Sequence, residues 1–420
     1  MSTAPSSASI YETSPPIPSQ ELLDRNAKSA ESHKPRSLSD IVNDNRDSKS
    51  QGIAIITCMD SRIHPHKQLG LADHDAIIIR NAGGRVTELI ESILTTQYFG
   101  TRHFMLIKHT DCGGFYVTGP KFKEHFKAHA KNPDTVNSLP GNSASDQRGF
   151  GNATIEQVVL SEVEYLRNSP LIFEETTISG WVFDDNTGKL LVHGQIKEQQ
   201  LTQLLNLQNL RLNLLRLQYY TKLHLKLTAM STTLVSGAST YETSPPIPSQ
   251  ELLDRNAKSA ESHKIRVGLH DNWEKFPRNA IITCMDSRVH PHKQLGLADH
   301  DTTIIRNASG RVTELIDTIL TTQYFGTRHF MLIKHTDCGG FYATGPKFKE
   351  HFKAHAKNPD ALDSLSGYSA NDIRGFGDAT IEQVVLSDVE YLRNSPLIFE
   401  ETTISGWVFD DNTGKIRQVA

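Results

Sequence analysis

The chain has 420 residues, enough for two or three domains, and its 37% hydrophobic and 22% charged residues suit a soluble globular protein. A net charge of −4 gives no reason to expect a nucleic-acid partner. The four cysteines are not spaced like a disulfide framework, and residues 1–20 lack the basic and apolar stretches of a secretory signal, so we expect a cytoplasmic protein.

Residues 20–190 predict an α/β fold in which helices alternate with apolar strands. In chain order the predicted elements are a helix from Gln20, strands at 53–58 and 76–80, a tight turn at 81–84, a helix capped by Thr87, a strand at 103–108, a helix at 155–167, a strand at 177–183 and a hairpin turn at 185–188. Because helical segments separate most of the strands, we expect a mainly parallel sheet.

Two of the predicted strands end on side chains that bind metals. The first ends on Cys58, and the strand at 103–108 is followed by His109 and Cys112. The carboxyl ends of parallel strands share one edge of the sheet, so these three side chains are expected in one crevice. Two thiolates and one imidazole make a three-ligand zinc set with a fourth position left open.

Asp60 and Arg62 follow the first strand closely. Two thiolates cancel the formal charge of zinc, so water on the metal needs a further activating group. Asp60 can accept the proton of a zinc-bound hydroxide, while Arg62 holds the carboxylate in a bidentate ion pair. Alternatively, Asp60 is a fourth zinc ligand in a closed form. Asp111 is more typical of a turn residue. Histidines in polar stretches are predicted to lie at the surface, among them His64, His66, His125 and His129.

The whole pattern occurs twice. Residues 11–34 recur unchanged at 241–264, and residues 58–189 match 284–415 without a gap. We therefore predict a tandem duplication, with copy 1 at 1–190, a joining segment at 191–240 and copy 2 at 241–420. The second candidate set consists of Cys284, His335 and Cys338 as metal ligands and Asp286 and Arg288 as the ion pair.

The joining segment is rich in Leu, Gln and Asn, and its leucines follow no single period. Charged residues recur too often for a membrane span. One interpretation is a basic surface helix. The other is translated non-coding sequence between two adjacent reading frames, because residues 230–241 resemble residues 1–11 and look like a second start.

Three motifs together resemble the signature of the β-class carbonic anhydrases. They are Cys58-Met-Asp-Ser-Arg62, Arg80-Asn-Ala-Gly-Gly84 and His109-Thr-Asp-Cys112-Gly. Copy 2 carries the same motifs, except that Ser309 replaces a glycine in the middle one. If that position needs a positive φ, the pocket of copy 2 is expected to be distorted.

The resemblance implies a mainly parallel sheet flanked by helices, present twice as an intramolecular pseudo-dimer, or a larger assembly if copies pair between chains. It implies one zinc ion per copy, on the two Cys-His-Cys sets, with the Asp-Arg pairs as catalytic residues. The implied reaction is the reversible hydration of carbon dioxide to bicarbonate, that of a carbonate dehydratase. Two alternatives stay open: hydrolysis of carbonyl sulfide or carbon disulfide on the same site, and a zinc-binding protein without turnover.

Overall fold

The computed structural model describes residues 19–38, 52–135 except 74 and 133, 149–192, 250–265, 277–361 except 300 and 359, and 375–420. The strands of copy 1 are β1 (Ile53–Cys58), β2 (Ile77–Asn81), β3 (His103–His109), β4 (Thr177–Phe183) and β5 (Leu190–Val192). Those of copy 2 are β6 (Asn279–Cys284), β7 (Thr303–Asn307), β8 (His329–His335), β9 (Thr403–Phe409) and β10 (Ile416–Gln418).

Five helices in each copy accompany these strands among the described residues. In copy 1 they are α1 (Ser19–Ala30), α2 (Pro65–Gln68), α3 (Ile90–Tyr98), α4 (Gly119–His129) and α5 (Ile155–Arg167). In copy 2 they are α6 (Gln250–Ala260), α7 (Pro291–Gln294), α8 (Ile316–Tyr324), α9 (Gly345–His355) and α10 (Ile381–Asn394). No helix in these parts of the chain is long and apolar enough to span a membrane.

The predicted α/β sheet is confirmed. Within copy 1 the strands lie in the order β2-β1-β3-β4 and are parallel, while β5 folds back antiparallel on β4 as the predicted hairpin. Copy 2 repeats this arrangement. The helix predicted from Thr87 begins later than expected. Thr87 lies in a short 3-10 turn, and α3 starts at Ile90. The joining segment beyond Val192 lies outside the described residues, so both interpretations of it stay open.

The two copies form one ten-stranded sheet. Its strand order is β10-β9-β8-β6-β7-β2-β1-β3-β4-β5, and the junction is an antiparallel contact between β2 and β7 at Arg80 and Arg306. One apolar cluster on the face covered by α5 and α10 contains core residues of both copies, including Ile56 and Ile282. The hydrophobic core is therefore continuous across the junction.

The opposite face of each half-sheet is covered by the first helix of the other copy. Leu22 of α1 packs in a cluster with Ile281 and Trp407 of copy 2. Asn26 of the same helix donates through Nδ2 to the carbonyls of Gln294 and Gly414, each at 2.9 Å. Helix α6 of copy 2 packs on copy 1 in the same way, through Leu252 and Asn256. Each copy thus completes the core of the other.

Two glutamates also cross the junction. Helix α8 has no side-chain cap of its own, and Glu88 of copy 1 accepts hydrogen bonds from the backbone N–H (2.8 Å) and the hydroxyl of Thr318 near its start. Glu314 of copy 2 accepts the equivalent bonds from Ser92 in α3. Burial raises the pKa of each carboxyl to about 7, although these hydrogen bonds oppose the shift.

We expect the free energy of unfolding to fall as pH rises from 5 to 7.5. Each carboxyl holds its proton more tightly in the folded state, so protonation stabilises the fold in full below the ordinary pKa of 4.5, and this stabilisation fades across the window from pH 4.5 to about 7. This contribution, on the order of 1–3 kcal/mol per carboxyl, is lost above that window. Urea unfolding of the wild type and of Glu88→Gln/Glu314→Gln measures it, because the amides cannot titrate. The exposed pair Glu31→Gln/Glu261→Gln is the matched control. Identical pH slopes in the wild type and the Glu88/Glu314 variant would contradict the assignment.

Candidate metal centres

The structure brings Cys58, His109 and Cys112 together at the carboxyl edge of the sheet. Cys58 ends β1, His109 ends β3, and Cys112 precedes the short turn that follows. All three are buried, their ligand atoms lie within 4.8 Å of one another, and the two Sγ atoms are 3.8 Å apart. The same grouping occurs in copy 2, with Cys284, His335 and Cys338.

The donor atoms fit a metal ion. Nδ1 of His109 donates to the carboxylate of Asp185 at 3.0 Å, and this bond orients the ring. Nε2 of His109 is buried without a hydrogen-bond partner and belongs to the thiol cluster. An orphaned imidazole nitrogen beside two sulfurs is costly to bury unless a cation occupies the space between them. His335 and Asp411 make the same arrangement in copy 2.

The charges of the thiol pair are coupled. In copy 1 the hydrogen bond from Cys112 lowers the pKa of Cys58 well below its ordinary value, and the same bond together with burial raises the pKa of Cys112. Burial would lower the pKa of His109, but the charges of Asp185 and Cys112 raise it well above the ordinary value. The three groups therefore hold protons that a divalent cation would displace on binding.

Asp60 and Arg62 form a closed ion pair beside the ligand set. Oδ1 of Asp60 accepts from Nε and the backbone N–H of Arg62 at 2.9 Å each, and Oδ2 accepts from Nη2 at 2.8 Å. Oδ2 also lies 4.0 Å from Nε2 of His109. Burial would raise the pKa of Asp60, but the pairing with Arg62 lowers it below the ordinary value, so the group is a carboxylate at neutral pH. Asp286 and Arg288 repeat this pair in copy 2.

Three residues of copy 1 have a part in the site that the sequence interpretation missed. Asp111, predicted as a turn residue, also holds Arg62 through both its carboxylate and its carbonyl. Asp185, predicted only as part of a hairpin turn, orients His109. Arg80 donates from Nη2 to the carbonyl of Asp60 at 2.8 Å and from Nε to that of Cys58. Asp185 follows β4, which pairs with β3 in parallel. Its position after a strand could therefore have predicted that it lies at the same sheet edge as His109.

Each centre lies beside the other copy. In copy 2, Nη1 of Arg288 donates to the carbonyl of Arg36 at 3.2 Å, and the backbone N–H of Leu38 donates to Asp337 at 2.6 Å. A Cβ atom at Gly339 would lie 2.9 Å from Cζ of Phe99, so a ring of copy 1 packs against the turn that carries Cys338. Copy 1 thus contributes contacts to the centre of copy 2.

The prediction of surface histidines is wrong for His64. It is 8% exposed because its ring stacks edge-on against His292 across the junction, with ring centroids 4.6 Å apart. His66 is half-buried and pairs with His290 in the same way. Sequence polarity did not reveal this burial, because the partner rings come from the other copy.

Comparison with known proteins identifies similar sequences. A family model described as carbonic anhydrase matches residues 53–190 and again 279–416. A carbon disulfide hydrolase of Saccharolobus solfataricus is 36% identical over 185 residues, which are 40% of this chain and 88% of that protein. Beta-carbonic anhydrase 1 of Mycobacterium tuberculosis is 33% identical over 150 residues, 34% of this chain and 81% of that protein. The solved carbonic anhydrase of Streptococcus mutans is 34% identical, covers 41% of this chain and 96% of its own, and has a TM-score of 0.33.

We predict two zinc ions per chain, because each copy brings a complete ligand set together. Cys112→Ser should leave one zinc, Cys338→Ser should also leave one, and the double variant should leave none. Elemental analysis after exhaustive dialysis measures these values, with the two single variants serving as controls for each other. Retention of two zinc ions by Cys112→Ser would show that the metal binds elsewhere.

Proposed function

Because the chain belongs to the β-carbonic anhydrase family, we propose that it hydrates carbon dioxide reversibly to bicarbonate and a proton, with one zinc ion in each copy. The observation that carries this proposal is the carboxylate of Asp60, fixed through both oxygens by Arg62 and placed 4.0 Å from the metal-facing nitrogen of His109. A purely structural metal site has no need of a buried, ionised carboxylate held next to its ligands.

The residues that would hold zinc are Cys58, His109 and Cys112 in copy 1 and Cys284, His335 and Cys338 in copy 2. When bound, zinc supplies a Lewis acid that makes water a competent nucleophile near neutral pH. The protein supplies the rest of the chemistry. Asp185 and Asp411 keep the histidine rings in one orientation, with Nε2 directed to the metal position.

Asp60 serves as a hydrogen-bond acceptor for the attacking water. An ionised carboxylate accepts hydrogen bonds and does not donate them, so it holds the water through its proton and leaves a lone pair free for the carbon of the substrate. Arg62 keeps Asp60 ionised and fixed, and Asp111 fixes Arg62 in turn. Because both Asp60 oxygens are engaged with Arg62, this geometry favours the orienting role over the closed form with Asp60 as a fourth ligand.

One side of the thiol pair is lined by apolar side chains. Cys58 and Cys112 cluster with Phe150 and Val158, and Phe115 packs against them. Such surroundings suit a small, uncharged, linear substrate and exclude bulk water from it. Carbon dioxide and carbon disulfide share these properties. Hydrolysis of carbon disulfide to hydrogen sulfide and carbon dioxide is the second candidate, favoured by the 36% identity to a carbon disulfide hydrolase over 88% of that protein.

We also propose that the two copies act as an intramolecular pseudo-dimer in the cytoplasm. The continuous sheet, the exchanged helices α1 and α6 and the contacts of Arg36 and Leu38 with the centre of copy 2 support the pairing. All four cysteines are free thiols, which suits a reducing compartment.

We expect the wild-type chain to accelerate the hydration of carbon dioxide to bicarbonate and a proton, and Asp60→Asn/Asp286→Asn to lose about 100-fold or more in kcat while keeping two zinc ions. The asparagine side chains preserve the shape of the aspartates but carry no charge. Stopped-flow carbon dioxide hydration and hydrogen sulfide release from carbon disulfide, measured on one preparation, separate the two candidate substrates.

The matched control is Asp24→Asn/Asp254→Asn, the same charge change at exposed duplicated positions. Full activity in Asp60→Asn/Asp286→Asn would show that the pair is structural. Loss of zinc from that variant would support Asp60 as a fourth ligand. Turnover of carbon disulfide alone would replace the first proposal with the second, and a zinc-loaded chain inactive on both substrates would refute both.

A further inference from the structure

The two metal centres differ at one turn residue. Gly83 in copy 1 has φ 68°, and Ser309 occupies the same position in copy 2 with φ 59°. Among the described residues, Ser309 is the only non-glycine residue with a positive φ. This conformation is unfavourable for a residue with a Cβ atom, so the serine is held in place by its surroundings.

The backbone around the turn is the same in both copies. Lys108 donates from Nζ to the carbonyls of Gly83 and Gly84, and Lys334 does so to those of Ser309 (3.1 Å) and Gly310. Because a buried lysine holds the carbonyls of each turn through these hydrogen bonds, the turn of copy 2 keeps the shape of the glycine turn in copy 1. The two lysines differ in their carboxylate partner, Glu162 in copy 1 and Asp388 in copy 2, but at the turn itself the difference is the serine side chain.

That side chain faces a metal-ligand sulfur. Oγ of Ser309 lies 3.6 Å from Sγ of Cys338, and the residue is 8% exposed. In both copies this sulfur has two partners, the backbone N–H of Gly114 or Gly340 at 3.5 Å and the other cysteine sulfur at 3.8 Å. Cys338 has the hydroxyl as a third partner, whereas at this position Cys112 has none, because Gly83 has no side chain.

Copy 1 fills the corresponding space with an aromatic ring. A Cβ atom at Gly83 would lie 2.9 Å from Cζ of Phe150, so the absence of a side chain lets this ring close over the centre. Phe150 is 9% exposed, whereas its counterpart Phe376 is half-buried. Phe376 lies over Gly340 as Phe150 lies over Gly114, so the serine adds a hydroxyl beside a ring that is less deeply buried than its counterpart.

We propose that Ser309 is a positioning residue that donates a hydrogen bond to the Cys338 thiolate and makes the centre of copy 2 electronically distinct from that of copy 1. The inference rests on the metal sites of the proposed function. A thiolate has no proton to donate, so the hydroxyl is the donor once Cys338 binds a metal. The bond draws electron density from the sulfur, which then gives less charge to the metal. One chain therefore carries two non-equivalent centres.

Cobalt(II) substitution tests this directly, because thiolate-to-cobalt charge transfer reports the energy of the sulfur lone pairs. The full chain with Cys112→Ser isolates the centre of copy 2, and Cys338→Ser isolates that of copy 1. We expect the band of copy 2 at higher energy. Ser309→Ala and Ser309→Gly should both shift it to lower energy, towards the band of copy 1. Gly83→Ser should shift the copy 1 band to higher energy.

The alanine variant separates the effect of the hydroxyl from the steric effect of the side chain. Ser309→Ala keeps the Cβ atom and the positive φ but removes the donor. If the band of Ser309→Ala has the same energy as that of the wild type and only Ser309→Gly shifts it, the effect is steric and the proposal is wrong. Coincident bands in the two isolated centres would also overturn it. A chain that shows the predicted shifts but turns over neither carbon dioxide nor carbon disulfide would refute the proposed function and leave this inference standing.

Discussion

Two buried guanidinium groups lie opposite each other where the sheets of the two copies meet. Arg80 and Arg306 are the paired residues of β2 and β7. Burial lowers the pKa of each to about 10, and each group is satisfied by carbonyl oxygens of its own centre, those of Cys58 and Asp60 for Arg80. The junction and the edge that carries the candidate metal ligands therefore share the same residues, and a change in the pairing of the copies would reach those ligands directly.

The copies also exchange contacts beyond this junction. Helices α1 and α6 cover the opposite half-sheets, and Glu88 and Glu314 cap the starts of helices in the other copy. Arg36 and Leu38 of copy 1 reach the ion-pair network of copy 2. A single copy would expose an apolar sheet face and leave one helix start without its cap, and in this chain the other copy supplies both.

Much of the fold and the grouping of the candidate ligand residues could be predicted from the sequence, because apolar runs that end on Cys58 and His109 indicate both the strands and their shared edge. The partners of those residues were harder to predict. Asp185 reaches His109 only through the pairing of β3 and β4, and the identical Leu-Leu pairs in α1 and α6 predict an apolar helix face without revealing which copy it covers. Likewise, the burial of His64 depends on a ring from the other copy.

Cleavage between the copies tests the central claim most directly. A protease site introduced between residues 201 and 227, outside the described part of the chain, allows the joining segment to be cut after folding. If the copies complete each other, the halves should remain together on size exclusion in dilute solution and keep both zinc ions and full turnover. Halves that separate into monomers, each fully active, would show that neither copy needs the other.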